Sequence, residues 1–145
     1  MKKYWLSAFC LILIVPLLCA GCGSSAKSPA AVSVTYDDFQ KQKNIVQDIS
    51  VSNGEMITVT LFSNSTTGFK WDENTQIGDP QVLQQVDHKY IAPSNTGGKV
   101  GVGGTEVWSF KTLKAGKSTI YTEYSQPWEK GSKGTWTFKL NVTVK

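Results

Sequence analysis

The sequence predicts an all-β protein, an immunoglobulin-like antiparallel β-sandwich of about seven strands. Short runs of alternating apolar and polar residues recur along the chain, separated by turn residues, as in sandwiches and barrels. No stretch keeps the apolar period of a helix, so helices are expected to be absent or brief. The 145 residues suffice for one such domain, whose connecting loops would gather at its two ends.

The last run of the chain, residues 135–145, shows the strand pattern most clearly. Side chains alternate across a strand, so this run has one apolar face and one polar face, as in a sheet with one wet side. The apolar members are Trp136, Phe138, Leu140, Val142 and Val144.

The same alternation predicts inward-facing residues on the other strands. They are Ile45, Ile49 and Val51; Ile57, Val59 and Leu61 after the Asn53-Gly54 turn; a short strand around Phe69 to Asp72; Val82, Val86 and Tyr90; Trp108 and Phe110; and Ile120 and Tyr124 after the Ala115-Gly116 turn.

The N-terminal segment has the pattern of an export signal. Lys2 and Lys3 precede an apolar run over residues 6–18, which small residues then close. This run is shorter than the roughly 20 residues that a membrane-spanning helix needs. We therefore expect residues 1–21 to be a signal peptide that directs the protein out of the cytoplasm.

The end of this segment, Cys19-Ala20-Gly21-Cys22, resembles a bacterial lipoprotein signal, in which the last cysteine is lipidated and becomes the mature N-terminus. Leucine is usual at the position of Cys19. The alternative is an ordinary signal with a leftover thiol, although an odd cysteine is unusual in a secreted protein. A lipidated Cys22 would anchor the protein to a membrane of the cell envelope, since each buried methylene contributes about 0.8 kcal/mol.

The mature chain divides into a linker and a domain. Residues 22–33 are small, polar and proline-containing, which predicts a flexible tether. Residues 34–145 are expected to form the folded domain, as a monomer. Cys10 and Cys19 leave with the signal, so the domain has no disulfide and depends on packing for its stability.

The domain lacks residues that many functions require. It has no arginine and no cluster of basic residues of the kind that binds nucleic acid. His88 is the only histidine, and we interpret it as a partly packed strand residue. No serine lies in a nucleophile-elbow motif, and no paired carboxylates can be recognised. We therefore expect a binding module rather than an enzyme, with no cofactor, metal or nucleic-acid partner.

Three loops stand out from the strand pattern. Each has a purely structural interpretation, as a turn, a flexible connection or a tryptophan folded onto the core. The loops are Asn64-Ser65-Thr66-Thr67-Gly68-Phe69, Gly101-Val102-Gly103-Gly104 and Gln126-Pro127-Trp128.

Taken together, these loops resemble the three signatures of the chagasin family of cysteine-protease inhibitors, which are Asn-Pro-Thr-Thr-Gly-Phe, Gly-X-Gly-Gly and Arg-Pro-Trp. The resemblance covers about residues 34–145. It implies an immunoglobulin-like fold whose three loops close the active-site cleft of a papain-like cysteine protease. Thr66 and Thr67 would form the tip that enters the catalytic centre, and the other two loops would grip the cleft on either side. Additional matches flank the motifs at Trp71, Trp108, Phe110, Tyr124 and Glu129.

The chain departs from the family pattern at two positions. Ser65 stands in place of proline, which frees one φ angle and removes about 0.4 to 1 kcal/mol of preorganisation. Gln126 stands in place of arginine, so a charge-assisted hydrogen bond becomes a neutral one of about half the strength. Both departures bear on affinity and on the choice of protease, and neither bears on the fold.

The alternative is an envelope lipoprotein whose sandwich binds glycans or other proteins. Its support is the tryptophan content, because exposed aromatic rings often bind sugars. Trp71, Trp108 and Trp136 fall on inward strand positions, which argues for core roles. The exposure of Trp128 distinguishes the two hypotheses, since a solvent-facing indole beside Thr66 favours the inhibitor.

Overall fold

The computed structural model describes residues 28–94, 97 and 101–145. The predicted signal peptide, Cys22 and much of the predicted tether lie outside the described residues. The described chain contains nine strands, one short helix and one 3-10 turn. They are β1 Ala30–Val34, α1 Tyr36–Lys41, β2 Asn44–Val51, β3 Met56–Ser63, the 3-10 turn Ser65–Thr67, β4 Lys70–Trp71, β5 Gln76–Ile77, β6 Leu83–Ile91, β7 Gly104–Thr112, β8 Gly116–Ser125 and β9 Trp136–Val144.

The strands form two sheets with one apolar core between them. One sheet has the order β1-β3-β7-β6, and the other has the order β2-β9-β8-β4, with β5 also paired to β8. Buried apolar side chains from both sheets form a single cluster. The predicted sandwich is confirmed, but the sheets are mixed, because β1 is parallel to β3 and β2 is parallel to β9. Alternation could not reveal this, since side chains alternate in parallel and antiparallel strands alike.

Two of the nine strands were not among the predicted seven. Residues 30–33, which we expected in the tether, belong to β1 and pair with β3. Small and polar residues gave this segment the composition of a linker, yet Val32 and Val34 are buried in the core. Strand β5 has two residues, too few for any alternation to appear.

The predicted inward positions on β3, β4, β7, β8 and β9 are confirmed. Trp71, Trp108, Phe110 and Phe138 are completely buried. At about 25 cal/mol per Å² of apolar surface, large aromatic residues such as these dominate the energy of the core. The other confirmed positions are Ile57, Val59, Leu61, Ile120, Tyr124, Trp136, Leu140, Val142 and Val144.

The prediction for β6 was partly wrong. Val86 is 49% exposed and Tyr90 41% exposed, and Val82 is buried but precedes the strand. The pairing with β7 shifts between Gln85 and Asp87, so Val86 is the extra residue of a β-bulge. A bulge changes which face later residues occupy, and the sequence carries no marker for it.

Helix α1 is brief, as predicted, and a capping box fixes its start. The Thr35 hydroxyl accepts a bond from the Asp38 N–H, and the Asp38 carboxylate accepts one from the Thr35 N–H. The Thr35 hydroxyl also donates to the Asp38 carboxylate, and this bond, together with the one from the Thr35 N–H, lowers the pKa of Asp38. Phe39 is completely buried and stacks on Trp136 with a centroid distance of 4.9 Å. Among the described residues, no helix is long and apolar enough to cross a bilayer.

Candidate functional site

The three conspicuous loops lie at the same end of the sandwich. We call residues 64–69 loop 1, residues 101–104 loop 2 and residues 126–128 loop 3. The end of β3 pairs with the start of β7, which brings loop 1 beside loop 2. Strand β4 pairs with the end of β8, which brings loop 1 beside loop 3. Loop 1 is therefore the middle of the three.

Loop 1 is a closed 3-10 turn rather than an extended segment. The Asn64 carboxamide oxygen accepts bonds from the Thr66 N–H at 3.2 Å and the Thr66 hydroxyl at 2.7 Å. The Thr67 hydroxyl donates to the Asn64 carbonyl at 2.7 Å. Gly68 ends the turn with a φ of +76°, in the left-handed region that glycine enters without strain. Loop 1 is thus a turn that Asn64 and Gly68 stabilise.

Loops 1 and 2 are joined by a direct hydrogen bond. The Asn64 side-chain amide donates to the Gly101 carbonyl at 2.9 Å. On the other side of Asn64, the Tyr124 hydroxyl accepts from its N–H at 2.9 Å and donates to its carbonyl at 3.2 Å. Tyr124 also stacks on Phe69, with ring centroids 5.4 Å apart. Both ends of loop 1 therefore rest on a core tyrosine.

Two loop 2 glycines are required by packing against the protein's own core. A Cβ on Gly103 would lie 2.2 Å from a ring carbon of Phe62, and one on Gly104 would lie 2.3 Å from the Ile91 carbonyl. Neither position has room for a side chain. The structure therefore gives Gly103 and Gly104 an internal role, while Gly101 and Val102 are the exposed residues of the loop.

Loop 3 places the Trp128 indole on loop 1. Trp128 is 50% exposed, and a Cβ on Gly68 would lie 2.7 Å from its Cη2 atom. The indole therefore lies against Gly68 with its other side open to solvent. The alternative in which Trp128 folds into the core is wrong for this chain.

Lys133 stabilises loop 3 through hydrogen bonds to its main chain. Nothing in the sequence indicated this role. Its ammonium donates to the Gln126 carbonyl at 2.5 Å and to the Trp128 carbonyl at 3.1 Å. The Gly131 N–H also donates to the Trp128 carbonyl, at 3.0 Å. A lysine five residues after a motif has no sequence signal of its own, because its partners are main-chain oxygens.

A buried carboxylate supports the base of loop 1. Glu106 accepts from the Ser63 hydroxyl at 2.8 Å and from the Trp71 N–H at 3.4 Å, while its second oxygen lies 2.9 Å from His88 Nε2. Ser63 precedes loop 1 and Trp71 follows it, so Glu106 ties its entry to its exit. The His88 ring lies 4.9 Å from that of Trp108. This agrees with a packed strand histidine.

Two further groups near loops 1 and 3 have shifted pKa values. Burial raises the pKa of Asp72, and the nearby Glu123 carboxylate adds to the increase. The hydrogen bond from the Tyr121 hydroxyl to Glu123, at 2.6 Å, raises the pKa of Tyr121 to about 12. Within residues 28–94, 97 and 101–145, no three His, Cys, Asp or Glu side chains are grouped to hold a metal ion.

Comparison with known proteins agrees with this geometry. Residues 50–142 match a family model described as "Chagasin family peptidase inhibitor I42". The chain belongs to the chagasin family. Chagasin from Trypanosoma cruzi is 32% identical over 82 residues, which are 55% of this chain and 73% of chagasin. The resemblance seen in the three loops is therefore confirmed.

Solved structures share the fold. The crystal structure of the cysteine protease inhibitor EhICP2 from Entamoeba histolytica is 24% identical, with a TM-score of 0.63 over 82% of this chain and 99% of that one. PbICP-C, solved in complex with falcipain-2, is 18% identical, with a TM-score of 0.51 over 80% of this chain and 99% of that one. At these identities the likeness concerns the fold alone.

The two departures from the chagasin-family motifs have clear positions in the structure. Ser65 is the first residue of the 3-10 turn, where a proline would fix the φ angle. The Gln126 side-chain oxygen accepts from the Ser132 N–H at 3.0 Å, so it closes loop 3 internally. Arginine has no acceptor and could not make this bond.

Proposed function

We propose that this chagasin-family protein is a reversible inhibitor of papain-like cysteine proteases, whose active-site cleft it closes with loops 1, 2 and 3. The observation that carries the proposal is the contact of the three loops at one end, through the bond from Asn64 to Gly101 and the packing of Trp128 on Gly68. EhICP2 is described as a cysteine protease inhibitor, and PbICP-C was solved bound to falcipain-2, which supports the same class of target.

The chemistry of the loop 1 tip suits a cysteine-protease active site. Thr66 and Thr67 each donate their hydroxyl proton within loop 1, so acceptor lone pairs remain for a partner. A papain-type site holds a thiolate beside an imidazolium, whose N–H groups are donors. We infer that the threonine hydroxyls accept from the imidazolium. Because loop 1 is folded into a 3-10 turn, its peptide bonds do not adopt the extended geometry of a substrate.

Inhibition of papain by the purified mature protein tests this proposal. We expect inhibition at sub-micromolar concentration, and a Trp128→Ala variant whose inhibition constant is about 30-fold higher, because a desolvated aromatic anchor contributes about 2 kcal/mol. The half-exposed ring contributes little to the core, so the Tm should change by only about 2 °C.

Leu113→Ala is the matched control, since Leu113 is also an exposed apolar residue but follows β7 at the opposite end. It should leave the inhibition constant unchanged. Absence of papain inhibition at tens of micromolar, or equal losses in the two variants, would reject the proposal.

Lys133 gives a second test, directed at the positioning of loop 3. Lys133→Met keeps the aliphatic stem and removes both hydrogen bonds to the Gln126 and Trp128 carbonyls. We expect the inhibition constant to rise about fivefold to 30-fold, since each of the two bonds contributes about 0.5 to 1 kcal/mol at an exposed site. Lys130→Met is the control, because Lys130 is exposed and its ammonium has no hydrogen bond within the described part of the chain. If the two variants raise the inhibition constant equally, the cause is the loss of a positive charge and not the loss of the hydrogen bonds.

We further propose that the protein acts outside the cytoplasm as a monomer attached to a membrane through lipidated Cys22. The support is the signal-like segment and the Cys19-Ala20-Gly21-Cys22 sequence. Acylation adds a mass that intact-protein mass spectrometry detects. Cys22→Ala should abolish both this mass and the partition of the protein into membranes.

The alternative of a glycan-binding envelope module has less support. Trp71, Trp108 and Trp136 lie in the core and offer no surface for a sugar. Trp128 is exposed, but it lies against the loop 1 turn rather than on an open sheet face. An exposed indole beside loop 1, with the other three tryptophans of the domain in the core, favours the inhibitor hypothesis.

A further inference from the structure

The chain enters the domain at the end opposite to the three loops. Strand β1 is parallel to β3, and its first residue, Ala30, pairs with Ile57 near the start of β3. Strand β3 then runs the length of the domain and ends at Ser63, directly before loop 1. The parallel pairing of β1, which the sequence did not predict, therefore decides where the tether leaves the fold.

This opposite end, which we call the distal pole, consists of the start of β1, the turns at 52–55 and 113–115, and Lys145. Pairing of Met56 with Lys111 and of Gly116 with Val144 places these segments together. Leu113 is 41% exposed at the pole. Three lysines of the same end are also exposed, which suits contact with anionic lipid headgroups. They are Lys111, Lys114 and Lys145.

We propose that the distal pole faces the membrane that carries the anchor, so that the three loops point away from the lipid and engage a protease while the inhibitor remains attached. This proposal rests on the lipidation of Cys22 proposed above. It assigns the distal pole to a lipid surface and the loop end to the protease.

Chain length disfavours the reverse orientation. Eight Cα–Cα steps lead from Cys22 to Ala30 and span at most about 29 Å when fully extended. From Ile57, the partner of Ala30, to Ser63, β3 rises about 20 Å, and loop 1 projects beyond it. If the loop end rested on the bilayer, the tether would have to run almost fully extended along the length of the domain to reach the lipid.

Energy transfer on the lipidated full-length protein in vesicles tests this orientation. The mature chain has no cysteine other than Cys22, which the lipid occupies, so an introduced cysteine is the only free thiol. Lys114→Cys places a fluorescent donor at the distal pole, and Glu129→Cys places it beside loop 3. Both positions are exposed. Vesicles of phosphatidylcholine and phosphatidylglycerol carry an acceptor lipid.

We expect transfer from position 114 to exceed that from position 129 about twofold or more, because the strands separate the two ends by about 30 Å. Papain added outside the vesicles should be inhibited as strongly as by the same protein in detergent. Equal transfer, or greater transfer from position 129, would overturn the orientation while leaving the anchor intact. Failure of the protein to bind vesicles would overturn the anchor and the orientation together, and inhibition in detergent would still report on the loops.

Discussion

Gly68→Ala is expected to raise the inhibition constant for papain about 30-fold. The substitution forces alanine into a φ of +76°, which costs about 1 to 2 kcal/mol, and places a Cβ 2.7 Å from Trp128 Cη2. The indole must move away, which removes an anchor worth about 2 kcal/mol. The loss of about 2 kcal/mol corresponds to a factor of about 30 in affinity, while the backbone strain lowers the free energy of unfolding. Steady-state inhibition kinetics measure it.

Gly54→Ala separates the two parts of this effect. Gly54 has a φ of +82°, and a Cβ there would have no atom within 4 Å. This variant should lose a similar amount of folding free energy from backbone strain, seen in thermal unfolding, and keep its inhibition constant. If Gly68→Ala affected only stability, as Gly54→Ala should, the contact between loops 1 and 3 would have no role in binding.

Trp128→Ala provides a second check on the same contact. If Gly68→Ala acts by displacing the indole, it should raise the inhibition constant little further when the indole is already absent. A double-mutant cycle on the inhibition constant measures this coupling. Full additivity of the two changes would show that Gly68 acts independently of Trp128.

The sequence was sufficient for the fold class and for the set of loops because both leave local signals. Alternation reports which side of a strand is buried, and Ile57, Trp108 and Phe138 are all buried as expected. The loop motifs consist of residues with unusual backbone or side-chain requirements. Gly68 ends a turn in the left-handed region, and Asn64 accepts from its own turn.

The remaining features depend on tertiary partners that no local pattern encodes. Strand β1 has the composition of a linker and becomes a strand because β3 offers it an edge. The bulge at Val86 arises in the pairing with β7. The two hydrogen bonds of Lys133 depend on the path of loop 3, which brings two carbonyls within reach of one ammonium. The direction of the tether relative to the loops follows from these pairings and could not be predicted.

Glu106 is a core residue that determines the geometry of the site. We expect Glu106→Ala to destabilise the protein. The carboxylate is buried, so its removal leaves a cavity and deprives Ser63, Trp71 and His88 of their shared partner. Each buried group left without a bond costs about 1 to 3 kcal/mol. We expect the free energy of unfolding to fall by about 3 kcal/mol or more, and the Tm by about 10 °C or more.

Glu106→Gln is the matched variant because it keeps the size of the side chain and one carbonyl acceptor. That oxygen can still serve Ser63 and Trp71, while the amide faces His88, whose ring nitrogen can accept. We expect a loss of only about 1 kcal/mol and an inhibition constant close to that of the unmodified protein. Glu106→Ala should weaken inhibition even well below its Tm, because loop 1 loses the tie between its entry and its exit. If Gln and Ala destabilise the protein equally, the negative charge of Glu106 matters more than its acceptor geometry.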